Sequence, residues 1–133
     1  MPDVNAWAVL VAGVASFVAS GVWYAVVGDS MAALQAQWRG ATPPEGPEPW
    51  KLLGFFGSGL VVALAVAILV DLADVDGWLD SLGLGVLLWV GFCATQWVGS
   101  ILGEQVPLRL AAIHAGDWLA HLLIIAVVVG VWR

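Results

Sequence analysis

The sequence predicts an all-α fold, a polytopic membrane protein with four transmembrane helices in one bundle, on three observations. Of its 133 residues, 62% are hydrophobic and only 11% charged, whereas soluble domains carry about a quarter charged residues. Four apolar runs, Ala6–Val27, Leu52–Val70, Leu82–Leu102 and Leu110–Trp132, approach or reach the about 20 residues that a spanning helix needs. Within each run the apolar residues are continuous, without the alternating polarity of a transmembrane barrel strand. Together the runs occupy most of the chain, so residues 1–133 are expected to form a single transmembrane domain. The net charge of −6 comes mainly from the loops, and there are only four Lys and Arg residues. That balance excludes a nucleic-acid surface and a polybasic lipid contact.

The N-terminal MPDVN carries Asp3 and no basic residue, unlike the positive leader of a signal peptide. Helix 1 is therefore expected to be retained, with Asn5 as its N-cap and Trp7 and Trp23 near its two ends. Ala12, Ser16 and Ser20 recur every fourth residue and give it a small face for close packing. A long loop follows, 28–51, in which Met31–Trp38 can form a short helix with Met31, Leu34 and Trp38 on one side. Such a segment suits either the membrane interface or an ordinary loop helix. Four prolines between Pro43 and Pro49 then exclude regular helix and predict an extended connector.

Helix 2 carries a small row, Gly59, Ala63 and Ala67. The second loop holds Asp71, Asp74, Asp76 and Asp80 without a basic partner, and reads as a solvated acidic turn. Helix 3 contains Gly91, Thr95, Gly99 and Gly103 at four-residue spacing, the clearest packing stripe in the chain. Small residues permit the close contact on which helix association in lipid depends. Gln96 and Ser100 add polar groups, Trp78 marks the helix entrance, and Trp89 and Trp97 are either core or tilted belt residues. Cys93 is the lone cysteine, so no disulfide can form within the chain, and it reads as a small apolar side chain.

Helix 4 has two faces. Ala112, Gly116 and Ala120 form a small one; His114, Asp117 and His121, at i, i+3 and i+7, form an ionisable one. A charge at mid-bilayer costs about 3 kcal/mol or more, so the ionisable face requires protein or water. Just ahead of it, Glu104 and Arg109 flank Pro107 and are expected to form a local ion pair, with a gating carboxylate as the sharper alternative.

Gly21-Val22-Trp23-Tyr24, Leu88-Trp89-Val90-Gly91-Phe92, Glu104, Pro107 and Ala115-Gly116 together resemble an uncharacterised bacterial membrane family, domain of unknown function 1761. The resemblance spans nearly the whole chain and implies the four-helix layout and a bacterial inner membrane, but no activity. The family pattern usually has Ser-Pro after Trp-Tyr, where this chain has Ala25-Val26. It has an amide and an aromatic where this chain has His114 and Asp117, which makes the ionisable stripe a property of this member.

Three functional readings follow. The first is a self-associating structural or accessory component in which Asp117 pairs with His114, His121 or a neighbouring helix. The second is a small oligomeric channel or carrier for protons or small cations along His114, Asp117 and His121. The third is a metal- or haem-binding redox component, with one histidine and Asp117 joined by Glu104, Gln96 or a second subunit. His114 and His121 are about 10 Å apart along the axis, too far to share one ion within one chain. No nucleophile elbow, zinc-protease motif or phosphate loop is present, so no enzyme activity and no cofactor are expected. The expected partners are the lipid bilayer and further copies of the chain. Arg39, Lys51 and Arg109 against Arg133 place loops 1 and 3 in the cytoplasm and both termini outside.

Overall fold

The computed structural model describes residues 2–40 and 48–133. Among the described residues four helices are long and apolar enough to cross a membrane: α1 (Ala6–Arg39), α2 (Pro49–Leu72), α3 (Gly77–Glu104) and α4 (Leu108–Val131). Val26, Leu102 and other large apolar side chains on their outer faces are left uncovered by the protein, as lipid contact requires. The chain is thus a multi-pass membrane protein.

The Asn5 side chain accepts hydrogen bonds from the backbone N–H groups of Trp7 and Ala8 and so starts α1. The helix does not stop at Val27. It continues without a break to Arg39 and ends on Gly40 at φ 65°, so the expected loop at 28–39 and its separate 31–38 helix are corrected. Gly28-Asp29-Ser30 lowers the hydropathy, but the following MAALQAQWR is rich in strong helix formers and lacks proline. Met31, Leu34 and Trp38 do lie on one side, packed on Val106, Leu110 and Ala111 rather than on a membrane interface. At 1.5 Å per residue α1 is about 51 Å long, against a hydrocarbon core of about 30 Å. Its last turns therefore extend past the membrane. The proline-rich connector expected at 41–47 lies outside the described residues.

Helix α2 begins with Pro49 in its first turn, a position where the missing N–H costs nothing. Beside it Lys51 pairs with Glu48 at 3.1 Å. Helix α3 contains a π-helical segment, Trp89–Ala94. Trp89 and Trp97 would be about 80° out of phase on a regular α-helix, but a π turn absorbs about one extra residue and brings them back to one side. That side faces α4. Both tryptophans are therefore inner residues, not belt residues.

Helix α4 packs on α1, α2 and α3, and α1 also packs on α2. Its half toward loop 2 buries Leu122, Ile125, Ala126 and Val129 against Ala12 of α1 and Ala63, Val66, Ala67 and Val70 of α2. Close approaches set these seams: a Cβ at Gly130 would collide with Ser81 of α3, and one at Gly13 with Leu60 of α2. At the opposite end Val106, Leu110 and Ala111 form a second apolar cluster. Asp3 donates its backbone N–H to Asp71 at 3.2 Å, and Arg133 lies 3.8 Å from Asp74. Both termini and loop 2 therefore share one end of the bundle.

Candidate polar site between the two apolar clusters

Between the two clusters lies a layer of polar side chains. Counting back from Val131 along α4, His121 is about 15 Å, Asp117 about 21 Å and His114 about 26 Å from that helix end. All three thus fall within the depth of a bilayer core of about 30 Å. The 3.6-residue helical period turns all three toward neighbouring helices, and each finds a partner there.

Asp117 is buried, with 9% of its surface exposed. Its carboxylate accepts a hydrogen bond from the Ser20 hydroxyl of α1 at 2.6 Å. The same hydroxyl oxygen is 3.4 Å from His121 Nδ1. One turn further along α1, the Tyr24 hydroxyl is 2.9 Å from His114 Nδ1, with Asp117 close beside it. The Trp97 ring of α3 stacks on the His114 imidazole, 5.2 Å between centroids and 4° between planes. Trp118 leans on His121 at 5.2 Å. Helix α2 contributes no polar side chain: it presents Gly59, where an added Cβ would sit 3.6 Å from His121 Nε2.

Two indoles fix α4 in this layer. Trp23 Nε1 of α1 donates to the Ile113 carbonyl at 3.0 Å, and Trp89 Nε1 of α3 donates to the Ala115 carbonyl at 2.7 Å. A buried indole N–H left unpaired costs about 1–3 kcal/mol, so these bonds hold the azimuth of α4 as well as its height. Gly116 makes room for the Trp23 ring, whose nearest atom would lie 2.8 Å from a Cβ there. The two faces of α4 thus both meet α1, Trp23 lying over Gly116 while Ser20 and Tyr24 reach the ionisable stripe.

Residues 7–130 match the family model described as "Protein of unknown function (DUF1761)". The chain belongs to that family. No curated protein and no solved structure matches it. The DUF1761 match takes in all four helices, and so both sides of every hydrogen bond in the polar layer.

The other residues expected at the site stand apart from it. Gln96 is exposed on α3, beside the inward-facing Trp97, and Glu104 is exposed at the end of α3. Neither joins the histidines and Asp117. Among the described residues no group of three His, Cys, Asp or Glu side chains is arranged to hold a metal ion. Nor do Glu104 and Arg109 form the expected ion pair; the described pairs are Lys51–Glu48 and Arg133–Asp74. Gln105 closes α3 in the left-handed region at φ 56°, and Val106 turns inward and donates its N–H to the Ser100 carbonyl at 3.3 Å. That turn sends Glu104 and Arg109 outward to water.

The small stripe of α3 also faces away from the chain's own helices. Gly91, Thr95, Gly99 and Gly103 are exposed, and nothing lies within 4 Å of a Cβ built on any of the three glycines. Thr95 returns its hydroxyl to the Gly91 carbonyl at 2.8 Å, which satisfies its donor without a partner helix. On α4, Ala112 is exposed and Ala120 half-buried. Ser20, Tyr24, Trp23 and Gly59 were not among the expected site residues. The available signal was Ser20 and Tyr24 themselves, two hydroxyls at i and i+4 in an otherwise apolar run.

Proposed function

We propose that this DUF1761 chain is a structural or accessory component of the bacterial inner membrane that self-associates through the outer face of α3 and has no catalysis of its own. One contrast carries the reading. His114, Asp117 and His121 of α4 each meet a hydroxyl of α1 within the bundle, while the four-residue stripe Gly91–Thr95–Gly99–Gly103 has none of the chain's own helices packed over it. In lipid such a stripe is suited to another helix at close range. The two apolar clusters above and below the polar layer also favour a structural role, because they close it along the bundle axis. Loops 1 and 3 are cytoplasmic in this proposal, by their basic residues. Replacing Gly99 with Leu tests it: assembly is lost in a mild lipid environment while the unfolding temperature of the single chain stays the same. Retained assembly would refute it.

A second reading, proton or small-cation movement through an oligomer, is favoured by the gathering of His114, Tyr24, Asp117, Ser20 and His121 in one layer. It requires proteoliposome flux that depends on pH and disappears with Asp117→Asn. The structural reading expects no flux under any gradient, and little change of phenotype with the same substitution.

A further inference from the structure

We infer that His121 Nε2 is a proton-binding site, kept free by a hydrogen-bond chain that fixes the tautomer of the ring. The inference rests on the polar layer and on neither self-association nor transport.

The hydrogens of the layer decide the tautomer. Ser20 has one hydroxyl hydrogen, and its 2.6 Å contact with the Asp117 carboxylate uses it. The remaining Ser20 contact, at 3.4 Å to His121 Nδ1, is then a bond only if Nδ1 brings the hydrogen. A neutral imidazole protonated on Nδ1 has a bare lone pair on Nε2. Among the described residues His121 Nε2 is the buried side-chain polar atom without a hydrogen-bond partner. The assignment of the first nitrogen thus accounts for the isolation of the second.

Charge points the same way. Asp117 is buried and, among the described residues, has no Lys or Arg partner. Facing this part of α4, α1 brings the hydroxyls of Ser20 and Tyr24, α2 brings Gly59 and no titratable group, and α3 brings Trp97, its Cys93 being packed against the apolar cluster. The cation available to balance Asp117 within the layer is therefore an imidazolium, His114 or His121. Of the two, His121 has the buried free nitrogen. The step is a proton transfer: an O–H bond of a hydronium ion breaks as the N–H bond forms at Nε2, a water molecule leaves with the electron pair, and the Nδ1–H to Ser20 is kept. The new N–H points at Gly59, where no acceptor stands. Proton binding is therefore coupled to the α2–α4 seam, which must admit water or open at Gly59.

The test is 15N NMR of the histidine-labelled full chain in phospholipid nanodiscs, titrated from pH 9 to pH 4. The expected result is His121 as the Nδ1–H tautomer at high pH, then one transition in which Nε2 gains a proton. With Asp117→Asn the same transition needs at least a tenfold higher proton concentration, because the balancing charge is gone. With Ser20→Ala the Nε2–H tautomer becomes populated. Should Asp117→Asn fail to fold, the wild-type tautomer and Ser20→Ala decide alone. An Nε2–H tautomer in the wild type at high pH, no protonation by pH 4, or a Ser20→Ala spectrum identical to wild type would overturn the inference. Gly99→Leu leaves all these signals in place, which separates this result from the assembly proposal.

Discussion

Glycines in this chain play opposite roles according to what stands over them. At Gly116 a methyl group would meet the Trp23 ring at 2.8 Å, and at Gly91 it would meet nothing. Gly116→Ala must displace the indole and weaken its bond to the Ile113 carbonyl, so a loss of about 1–3 kcal/mol is expected. Gly91→Ala is expected to leave the stability of the single chain within about 0.5 kcal/mol. Reversible unfolding in mixed detergent measures both. Outside the membrane, the Glu48 carboxyl is held below its usual range, first by its hydrogen bond to Lys51, then by the lysine charge, then by the Trp50 indole. A lowered carboxyl contributes stability that is present above the ordinary carboxylate pKa and lost as the pH falls through the lowered one. Replacing Lys51 with Met should return Glu48 toward its ordinary titration range, read by carboxyl NMR. Because the side chains of Glu48 and Lys51 are both exposed, the change in helix stability at neutral pH should be slight.

At the scale of elements, the four spans were legible because a run of about 20 apolar residues has few alternatives to a membrane helix. The end of α1 was not. Hydropathy falls at Gly28, Asp29 and Ser30, but helix propensity persists to Trp38, and the packing of Met31, Leu34 and Trp38 on the second apolar cluster stabilises the extension. A continuous helix makes a definite prediction at the junction. Ser30→Pro should cost about 3 kcal/mol or more and break α1 there, whereas a loop at that point would tolerate it. Protease sensitivity at 28–32 and loss of helical circular dichroism report the outcome. The Glu104–Arg109 pair was misread for a similar reason: five residues of separation suggest proximity, but the left-handed Gln105 between them turns both side chains outward.

At the scale of the molecule, α4 is the shared partner of the other three helices. It carries an apolar half, a polar layer and an apolar cap in sequence along its length. That His114, Asp117 and His121 must be shielded from lipid was readable from their position on one apolar helix. Their partners were not, because Ser20 and Tyr24 are 97 and 90 residues away from the groups they bond. No periodicity within α4 specifies which neighbour faces it. The outer stripe of α3 is the converse case: its spacing announced close packing, and the chain's own helices leave it bare. What covers that stripe is therefore decisive, and the most direct measurement is the subunit count of the full chain in a native-like bilayer, by mass spectrometry from nanodiscs. More than one copy for the wild type and a single, equally stable copy for Gly99→Leu is the predicted result. A single copy for the wild type, or an unchanged count for Gly99→Leu, would contradict it.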